Sequence, residues 1–336
     1  MAKIDLLNLE ETGMNGSLAG QKALLYGGNS LGKTFQASKM PKPLLLMTEA
    51  GANGVKCKKL PVNKWATFKD VVKQLTDEKT LDQMKEQYFT IIVDTLENLV
   101  GLSEQAVCSE FGVRDLSEIT GKQNGYSIYR KDFKSQVNKL CSCGYFVLFI
   151  DHEEIVELED PITGEKYNFV QPKGSSNIKS STRFVRDMCD FTFFVHGGEV
   201  DENGDSIPSS LLCKQTKHAF ARSRYAIQTF VKPFTAKNME EAIIKAIEKS
   251  ANDEGANLSD WKLDTSDYTA QDWIDMISPY YKAIYKKDSE KAKAIVENEL
   301  GAGAKVSKAT DEQKMELENI YNQMVTHACD MGLVVE

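Results

Sequence analysis

The stretch Gly27-Gly28-Asn29-Ser30-Leu31-Gly32-Lys33-Thr34 decides the fold of this 336-residue chain. It follows the pattern G-x-x-x-x-G-K-[ST], whose glycines let backbone N–H groups turn inward and cradle phosphate oxygens. In such a loop Lys33 reaches the β- and γ-phosphates, and the Thr34 hydroxyl is a ligand for Mg²⁺. The apolar run Lys22–Tyr26 predicts a strand before the loop, and Lys33–Lys39 predicts a helix after it. We therefore predict that all eight residues form a phosphate-binding loop for ATP and Mg²⁺.

Further apolar runs define the rest of the core. Buried strands are predicted at Leu44–Thr48, Phe89–Val93, Tyr145–Ile150 and Phe191–Val195. Segments with helical spacing of apolar residues lie between them, and this alternation is typical of parallel strands covered on both faces. The predicted fold class is α/β, with a mostly parallel central sheet flanked by helices. Two antiparallel pairs are also predicted: a projecting hairpin, Ile155–Leu158 with Tyr167–Val170, and the pair Leu211–Lys214 with Ala226–Thr229.

The character of the chain changes after Pro233. Amphipathic helices are predicted at Asn238–Ser250, Thr269–Tyr285, Ser289–Leu300 and Asp311–Met331. Residues 237–336 hold 12 lysines against 20 acids and so carry the whole net charge of -8. We predict two domains, an α/β domain over residues 1–236 and an acidic, mostly helical C-terminal domain over residues 237–336. The acidic helices could cap the core, mimic nucleic acid or dock a basic partner.

Three polar side chains follow predicted strands at the edge where an open α/β sheet meets its ligand. Asp94 ends the third strand, where a carboxylate can hold Mg²⁺ through its water shell, although it could also cap the next helix. Glu49 follows the second strand and could deprotonate an attacking water, or it could be a solvated loop acid. His152 follows the fourth strand and could sense a γ-phosphate, or it could be an ordinary half-exposed histidine.

Two basic segments could meet phosphates from outside this edge. Arg222 and Arg224 share a face of a regular strand and could reach a γ-phosphate bound by an adjacent subunit, or could belong to a solvated turn. The segment Gln171–Arg186 contains two lysines and two arginines and no acid. Such a loop suits a sugar–phosphate backbone, and a surface helix with its loop is the alternative.

The composition of the chain and its N-terminal sequence indicate the cellular compartment. No run of 18 apolar residues predicts a transmembrane helix, and the N-terminus lacks the pattern of a signal peptide. The seven cysteines are odd in number and irregularly spaced, which argues against a disulfide framework. We expect a cytoplasmic protein with no membrane partner.

In their order, these features resemble the RecA-like P-loop ATPases, and among them the phage AAA-type proteins of single-strand annealing and recombination. The resemblance spans about residues 15–232 and rests on GGNSLGKT, LLLMTEAG, FTIIVDTLENL, YFVLFIDHEE and ARSRY. It implies that Glu49 is the catalytic base and that Asp94 belongs to the Mg²⁺ site. The family often carries a Lys-x-Arg segment that acts across a subunit interface. Here Arg222 stands at the lysine position and Arg224 at the arginine position.

The resemblance implies an ATPase of phage DNA recombination or replication, working in the host-cell cytoplasm. It would act on single-stranded DNA as a homo-oligomeric ring or filament, with Lys33, Glu49, His152 and Arg224 in its catalytic site. The alternative is a slow or non-catalytic ATP-switched loader that recruits a replication or recombination partner through its C-terminal helices. A small-molecule kinase is disfavoured because no arginine-rich lid segment is evident.

Overall fold

The computed structural model describes residues 13–49, 51, 54–77, 79–120, 124–198, 207–259, 269–310 and 313–333. The chain divides into two compact units, one spanning Thr12–Leu263 and a second that takes in Asp264–Glu336. The first unit contains the phosphate-binding loop and the central sheet.

The strands are short, and those at the centre of the main sheet are buried. They are β1 (Met14–Asn15), β2 (Lys22–Gly27), β3 (Pro43–Met47), β4 (Lys58–Pro61), β5 (Thr90–Asp94), β6 (Phe146–Asp151), β7 (Glu153–Glu159), β8 (Lys166–Pro172), β9 (Phe191–His196), β10 (Ser210–Leu212), β11 (Arg222–Ser223), β12 (Phe230–Val231) and β13 (Leu258–Ser259).

The helices of the first unit are α1 (Lys33–Ala37), α2 (Trp65–Leu75), α3 (Leu81–Gln87), α4 (Leu96–Phe111), α5 (Gly125–Cys141), α6 (Ser181–Met188) and α7 (Ala236–Glu254). Those of the second unit are α8 (Ala270–Lys287), α9 (Ser289–Leu300) and α10 (Lys314–Asp330). Short 3₁₀ turns lie at Leu116–Glu118 and Val306–Lys308.

The central sheet has the strand order β12-β10-β9-β2-β6-β5-β3-β4, with β11 also paired to β9. The six strands from β9 to β4 are parallel, and β10, β11 and β12 are antiparallel to their neighbours. The predicted α/β class with a mostly parallel sheet is therefore confirmed. Because β6 lies between β2 and β5, the carboxyl ends of three buried strands meet at one edge.

Alternate residues of each buried strand serve two separate cores, because successive side chains point to opposite faces. On β2, Leu25 belongs to the core that includes α1 and α7, whereas Leu24 belongs to the core that includes α2, α4 and α5. On β5, Ile92 joins the first core and Ile91 joins the second. Both faces of the sheet are thus covered, which explains why the strands are continuous apolar runs.

The domain boundary differs from the predicted one at residues 236–237. Helix α7 belongs to the first compact unit, which continues to Leu263. Met239, Ile243 and Ile247 of α7 are fully buried in the same apolar cluster as the sheet residues. The change in sequence character at Pro233 therefore marks the end of the sheet and the start of its last covering helix. It does not mark the end of the unit.

A pair of truncations tests this boundary. Each large apolar side chain lost from a core costs about 2–5 kcal/mol, so losing the stripe of α7 approaches the whole stability of about 5–15 kcal/mol of a typical domain. We expect a chain ending at Ala236 to be unfolded, and a chain ending at Leu263 to keep a cooperative thermal transition by circular dichroism. A folded, ATP-binding protein ending at Ala236 would contradict this boundary.

The second unit has its own small core. Trp273 and Ile277 of α8, Ile295 of α9 and Ile320 of α10 are buried in one cluster. Thr269 caps α8 by accepting a hydrogen bond from the Asp272 amide at 3.3 Å, and the Asp272 side chain accepts in return from the Thr269 amide. This reciprocal capping box is typical of a stable helix start.

The predicted hairpin is present, and the second antiparallel pair is shifted. Strands β7 and β8 pair from Glu153 with Pro172 to Glu159 with Lys166. In the other pair, β10 pairs with β12 at Phe230–Val231, downstream of the predicted partner Ala226–Thr229. None of the helices in the described ranges combines the length and the apolar character that crossing a bilayer requires.

Candidate functional site

The predicted phosphate-binding loop joins the end of β2 to the start of α1. Gly27 has φ 152°, and a Cβ atom there would lie 2.3 Å from the carbonyl oxygen of Val195 on β9, so no other residue fits without moving backbone. Gly32 has φ 82° at the N-cap of α1, a left-handed conformation that glycine adopts at little cost. These two positions hold the loop in the turn that the motif requires.

Lys33 is the central cation of this loop. Its side chain is largely buried, and its Nζ donates to the carbonyl oxygens of Gly27 at 2.7 Å and Gly28 at 2.6 Å. Burial lowers the pKa of Lys33, and the carboxylates of Asp94 and Glu153 oppose that shift. The ammonium group is thus held over the loop, where phosphate oxygens would offer stronger, charge-assisted acceptors than carbonyls.

Thr34 and Asp94 are brought together although 60 residues separate them. The Thr34 hydroxyl donates to Asp94 Oδ2 at 2.7 Å. Burial raises the pKa of Asp94, and the hydrogen bond from Thr34 acts in the opposite direction. A hydroxyl and a carboxylate beside a phosphate-binding loop are hard oxygen ligands of the kind Mg²⁺ prefers, so these two residues fit a Mg²⁺ ion bound with a nucleotide.

Glu49 lies just beyond β3, with its side chain exposed at the same edge. Its Oε2 accepts a hydrogen bond from Asn98 Nδ2 at 3.0 Å. Asn98 lies in the first turns of α4, and its role was missed in the sequence because nothing in Leu96–Leu99 distinguishes it from a surface residue. Asn98 restricts the carboxylate of Glu49 from one side.

One cavity of about 400 Å³ collects these side chains. The predicted residues that line it are Asn29, Ser30, Leu31, Gly32, Lys33, Thr34, Glu49, Asp94 and His152. Gly27 and Gly28 line an adjoining cleft, which His152 also borders. Phe35 adds a half-exposed ring to the cavity wall, with Lys39 Nζ 4.5 Å from its centroid. An aromatic wall beside a phosphate loop can pack against a nucleobase.

His152 lies between the cavity and the hairpin. Its Nδ1 is 3.6 Å from Glu97 Oε2, and Glu97 Oε1 is 2.8 Å from the Nζ of Lys173. Lys173 directly follows β8, so a chain of polar contacts runs from the cavity to the end of the hairpin. Glu97 was not predicted as a site residue, and Lys173 was predicted only within the basic segment Gln171–Arg186. The two lie 76 positions apart, and only the fold brings them together.

Arg222 and Arg224 lie away from the cavity of their own chain. Arg222 pairs with Thr192 near the start of β9, whereas Gly27 pairs with Val195 near its end. Arg222 Nη1 donates to the carbonyl of Asp187 at 3.0 Å, and Arg224 Nε lies 3.4 Å from Asp190 Oδ1. Any contact with a γ-phosphate would therefore have to involve a nucleotide on another copy.

Two acids outside the basic segment Gln171–Arg186 offset about half of its positive charge. Lys173 pairs with Glu97, and both arginines pair with Asp187 on α6. Lys179 is exposed and takes part in none of the ion pairs found in the described residues. The available positive charge is thus smaller than the sequence of this segment suggests.

Two comparisons with known proteins are informative. Residues 19–225 match the family model described as AAA domain. The chain is also 32% identical over 321 residues to the SPbeta prophage-derived uncharacterized protein YorG of Bacillus subtilis strain 168, a match that covers 92% of this chain and 94% of that protein. The matched range of the family model begins before β2 and ends just after Arg224, so it contains every predicted site residue.

Proposed function

The chain belongs to the AAA-domain family of P-loop proteins, and from that premise we propose that it is an ATPase of phage DNA recombination or replication that acts on single-stranded DNA. The observation that carries the ATPase part is the convergence of Lys33, the Thr34–Asp94 pair and Glu49 on one cavity. A phosphate loop alone binds nucleotide. A cation site and a carboxyl group beside it add the means to hydrolyse the nucleotide.

Each residue has a distinct part in the proposed hydrolysis. Glu49 orients a water molecule for in-line attack on the γ-phosphate and accepts its proton. Lys33 offsets the charge that develops on the phosphoryl oxygens. Bound Mg²⁺ would supply further charge neutralisation, and Thr34 with Asp94 would hold it. The hydrogen bond from Asn98 restrains the orientation of the Glu49 carboxylate.

His152 is proposed to report the state of the γ-phosphate. It borders both the cavity and the adjoining cleft, and its contact with Glu97 continues to Lys173 at the end of β8. A change at the γ-phosphate would thereby reach the hairpin and the segment after it. Such local contacts can bias a loop between two arrangements.

A RecA-like site shared between subunits is the finer part of the proposal. The position of Glu49 after β3 supports it, as does the location of Arg222 and Arg224 far from the cavity of their own chain. In a ring or filament, head-to-tail contacts place a different surface of each copy against the cavity of the next. Arg224, half exposed at its side chain, is then the arginine that reaches the neighbouring γ-phosphate.

Contact with single-stranded DNA is proposed for the segment after the hairpin. Strands β7 and β8 with their turn carry six acids and one lysine, so the hairpin itself would repel a phosphate backbone. In the segment after the hairpin, Lys179 is exposed and takes part in none of the ion pairs of the described residues, so its charge is available to a phosphate.

The ATPase rate with and without single-stranded DNA tests the proposed function. We expect the steady-state rate to rise severalfold on adding an oligonucleotide, because DNA orders the segment that His152 contacts through Glu97 and Lys173. Double-stranded DNA of equal phosphate concentration is the control. A rate that single-stranded DNA leaves unchanged would contradict the assignment to DNA, while leaving the ATPase itself intact.

The second candidate, an ATP-switched loader or adaptor, is favoured by one observation. Helices α8–α10 form a compact unit with its own core, as a separate recruitment module would. A cleft of about 250 Å³ in this unit is lined by Ile277, Tyr281 and Val296 together with lysines. In this case turnover is slow, does not respond to DNA and rises with a protein partner.

A further inference from the structure

Three side chains outside the proposed Mg²⁺ site converge between β6 and α4. Glu97 lies in the first turn of α4, Asp151 is the last residue of β6, and His152 follows it. One ligand atom from each lies within 4.8 Å of the other two. Within the described residues, Glu97, Asp151 and His152 are the one group of three histidine, cysteine or acidic side chains placed closely enough to hold a metal ion.

The buried carboxylate of Asp151 gives separate support for a metal ion at this cluster. It is fully buried, and its Oδ1 accepts hydrogen bonds from the backbone N–H groups of Glu97 at 3.4 Å and His152 at 3.0 Å. Its Oδ2 is also buried and has no hydrogen-bond partner within the described part of the chain. A buried carboxylate oxygen without a partner is costly, and burial accordingly raises the pKa of Asp151 well above its usual range. Either a proton or a cation relieves that cost.

The spacing of the neighbouring groups suits a cation. Glu97 Oε1 is engaged by Lys173 at 2.8 Å, and Glu97 Oε2 lies 3.6 Å from His152 Nδ1. Ligands about 2.0–2.2 Å from a tetrahedral ion stand roughly 3.3–3.6 Å from one another, so this spacing already matches a metal-binding edge. With Lys173 counted and Asp151 ionised, the two carboxylates leave one net negative charge, which favours a cation over a phosphate.

We propose that Glu97, Asp151 and His152 form a second divalent-cation site, distinct from the Thr34–Asp94 site for Mg²⁺. An imidazole nitrogen with two carboxylate oxygens suits a borderline transition ion such as Zn²⁺, Mn²⁺ or Co²⁺ better than Mg²⁺ or Ca²⁺. Binding at Nδ1 fixes the histidine tautomer and leaves Nε2–H as a donor on the other side of the ring. The cation thus positions the donor that His152 offers to the cavity.

The test uses the full-length chain without nucleotide, titrated with CoCl₂ and followed by visible absorption and calorimetry. We expect about one Co²⁺ per chain, with the ligand-field bands of nitrogen and oxygen ligation, and displacement by Zn²⁺. Glu97→Gln and His152→Ala should each weaken binding about tenfold or more. Asp151→Asn should do the same, and circular dichroism establishes whether that buried variant is folded.

Matched controls separate this site from the rest of the molecule. His218→Ala removes an exposed histidine of the same unit and should leave Co²⁺ affinity unchanged. Lys33→Ala and Asp94→Asn disable the proposed nucleotide site but remove none of the three proposed ligands, so these variants should still bind Co²⁺, and failure of the ATPase proposal does not affect this measurement. The proposal is overturned if the wild-type chain binds no Co²⁺, if Glu97→Gln and His152→Ala bind it normally, or if intense thiolate charge-transfer bands show cysteine ligation.

Discussion

Lys33→Ala is expected to reduce ATP turnover by at least about a hundredfold, because the removal of one preorganised charged donor from a transition state typically costs that much. The Nζ of Lys33 is held by Gly27 and Gly28 at the mouth of the loop, where the β- and γ-phosphates would lie. Alanine keeps the helix start of α1, so the fold should survive. Phosphate release under saturating ATP and Mg²⁺ measures the effect.

Lys73→Ala is the matched control, since Lys73 is an exposed lysine near the end of α2 and does not line the cavity. Its turnover should equal that of the wild type. The thermal transition of Lys33→Ala, followed by circular dichroism, should also match the wild type. Turnover by a folded Lys33→Ala protein at near wild-type rate would remove the basis for a phosphate-binding role of this loop.

The same variant also reports whether the site is shared between copies. If Arg224 acts on the nucleotide of a neighbouring copy, the two variants are inactive for different reasons. Lys33→Ala damages the copy that binds the nucleotide, and Arg224→Ala damages the copy that reaches it. Random mixing of the two variants then restores about one quarter of the head-to-tail interfaces, in which one copy supplies Lys33 and the next supplies Arg224. No recovery in the mixture would mean that Arg224 serves its own chain, through its contact with Asp190.

The parts of the molecule that could be predicted are those encoded by local sequence. Glycines at positions 27 and 32 are required by backbone geometry, and an apolar run such as Phe146–Ile150 can only be buried on both faces. The α/β class and the location of Asp94 and Glu49 at strand ends follow from such patterns. Parallel order then brings Asp94 to Thr34 without any further signal.

What escaped prediction depends on contacts between distant segments. The pairing of Lys173 with Glu97 is not evident until the chain is folded. The boundary at residues 236–237 was misplaced for a related reason. An amphipathic helix such as α7 has the same pattern whether its apolar face covers a sheet or a separate bundle, and only the partner distinguishes the two.

The second large effect concerns Glu49. Glu49→Gln is expected to lower kcat by about 10²–10⁴-fold, the usual contribution of a general base, while the affinity for ATP changes little. Glutamine keeps the size of the side chain, and its Oε1 can still accept the hydrogen bond from Asn98. It cannot take a proton from water. The steady-state rate together with binding of a fluorescent ATP analogue measures the two quantities separately.

Two further variants allow the effect of Glu49→Gln to be interpreted. Glu86→Gln makes the same change at an exposed acid on α3 and should leave kcat unaltered. Asn98→Ala frees the Glu49 carboxylate without removing it, so it should lower kcat by less than Glu49→Gln does. If Glu49→Gln instead raised KM and left kcat intact, Glu49 would be a binding residue, since a loss confined to KM removes an interaction made equally in ground and transition states. The hydrolytic role would then need another base on this cavity, and His152, which also lines it, would be the residue to replace next.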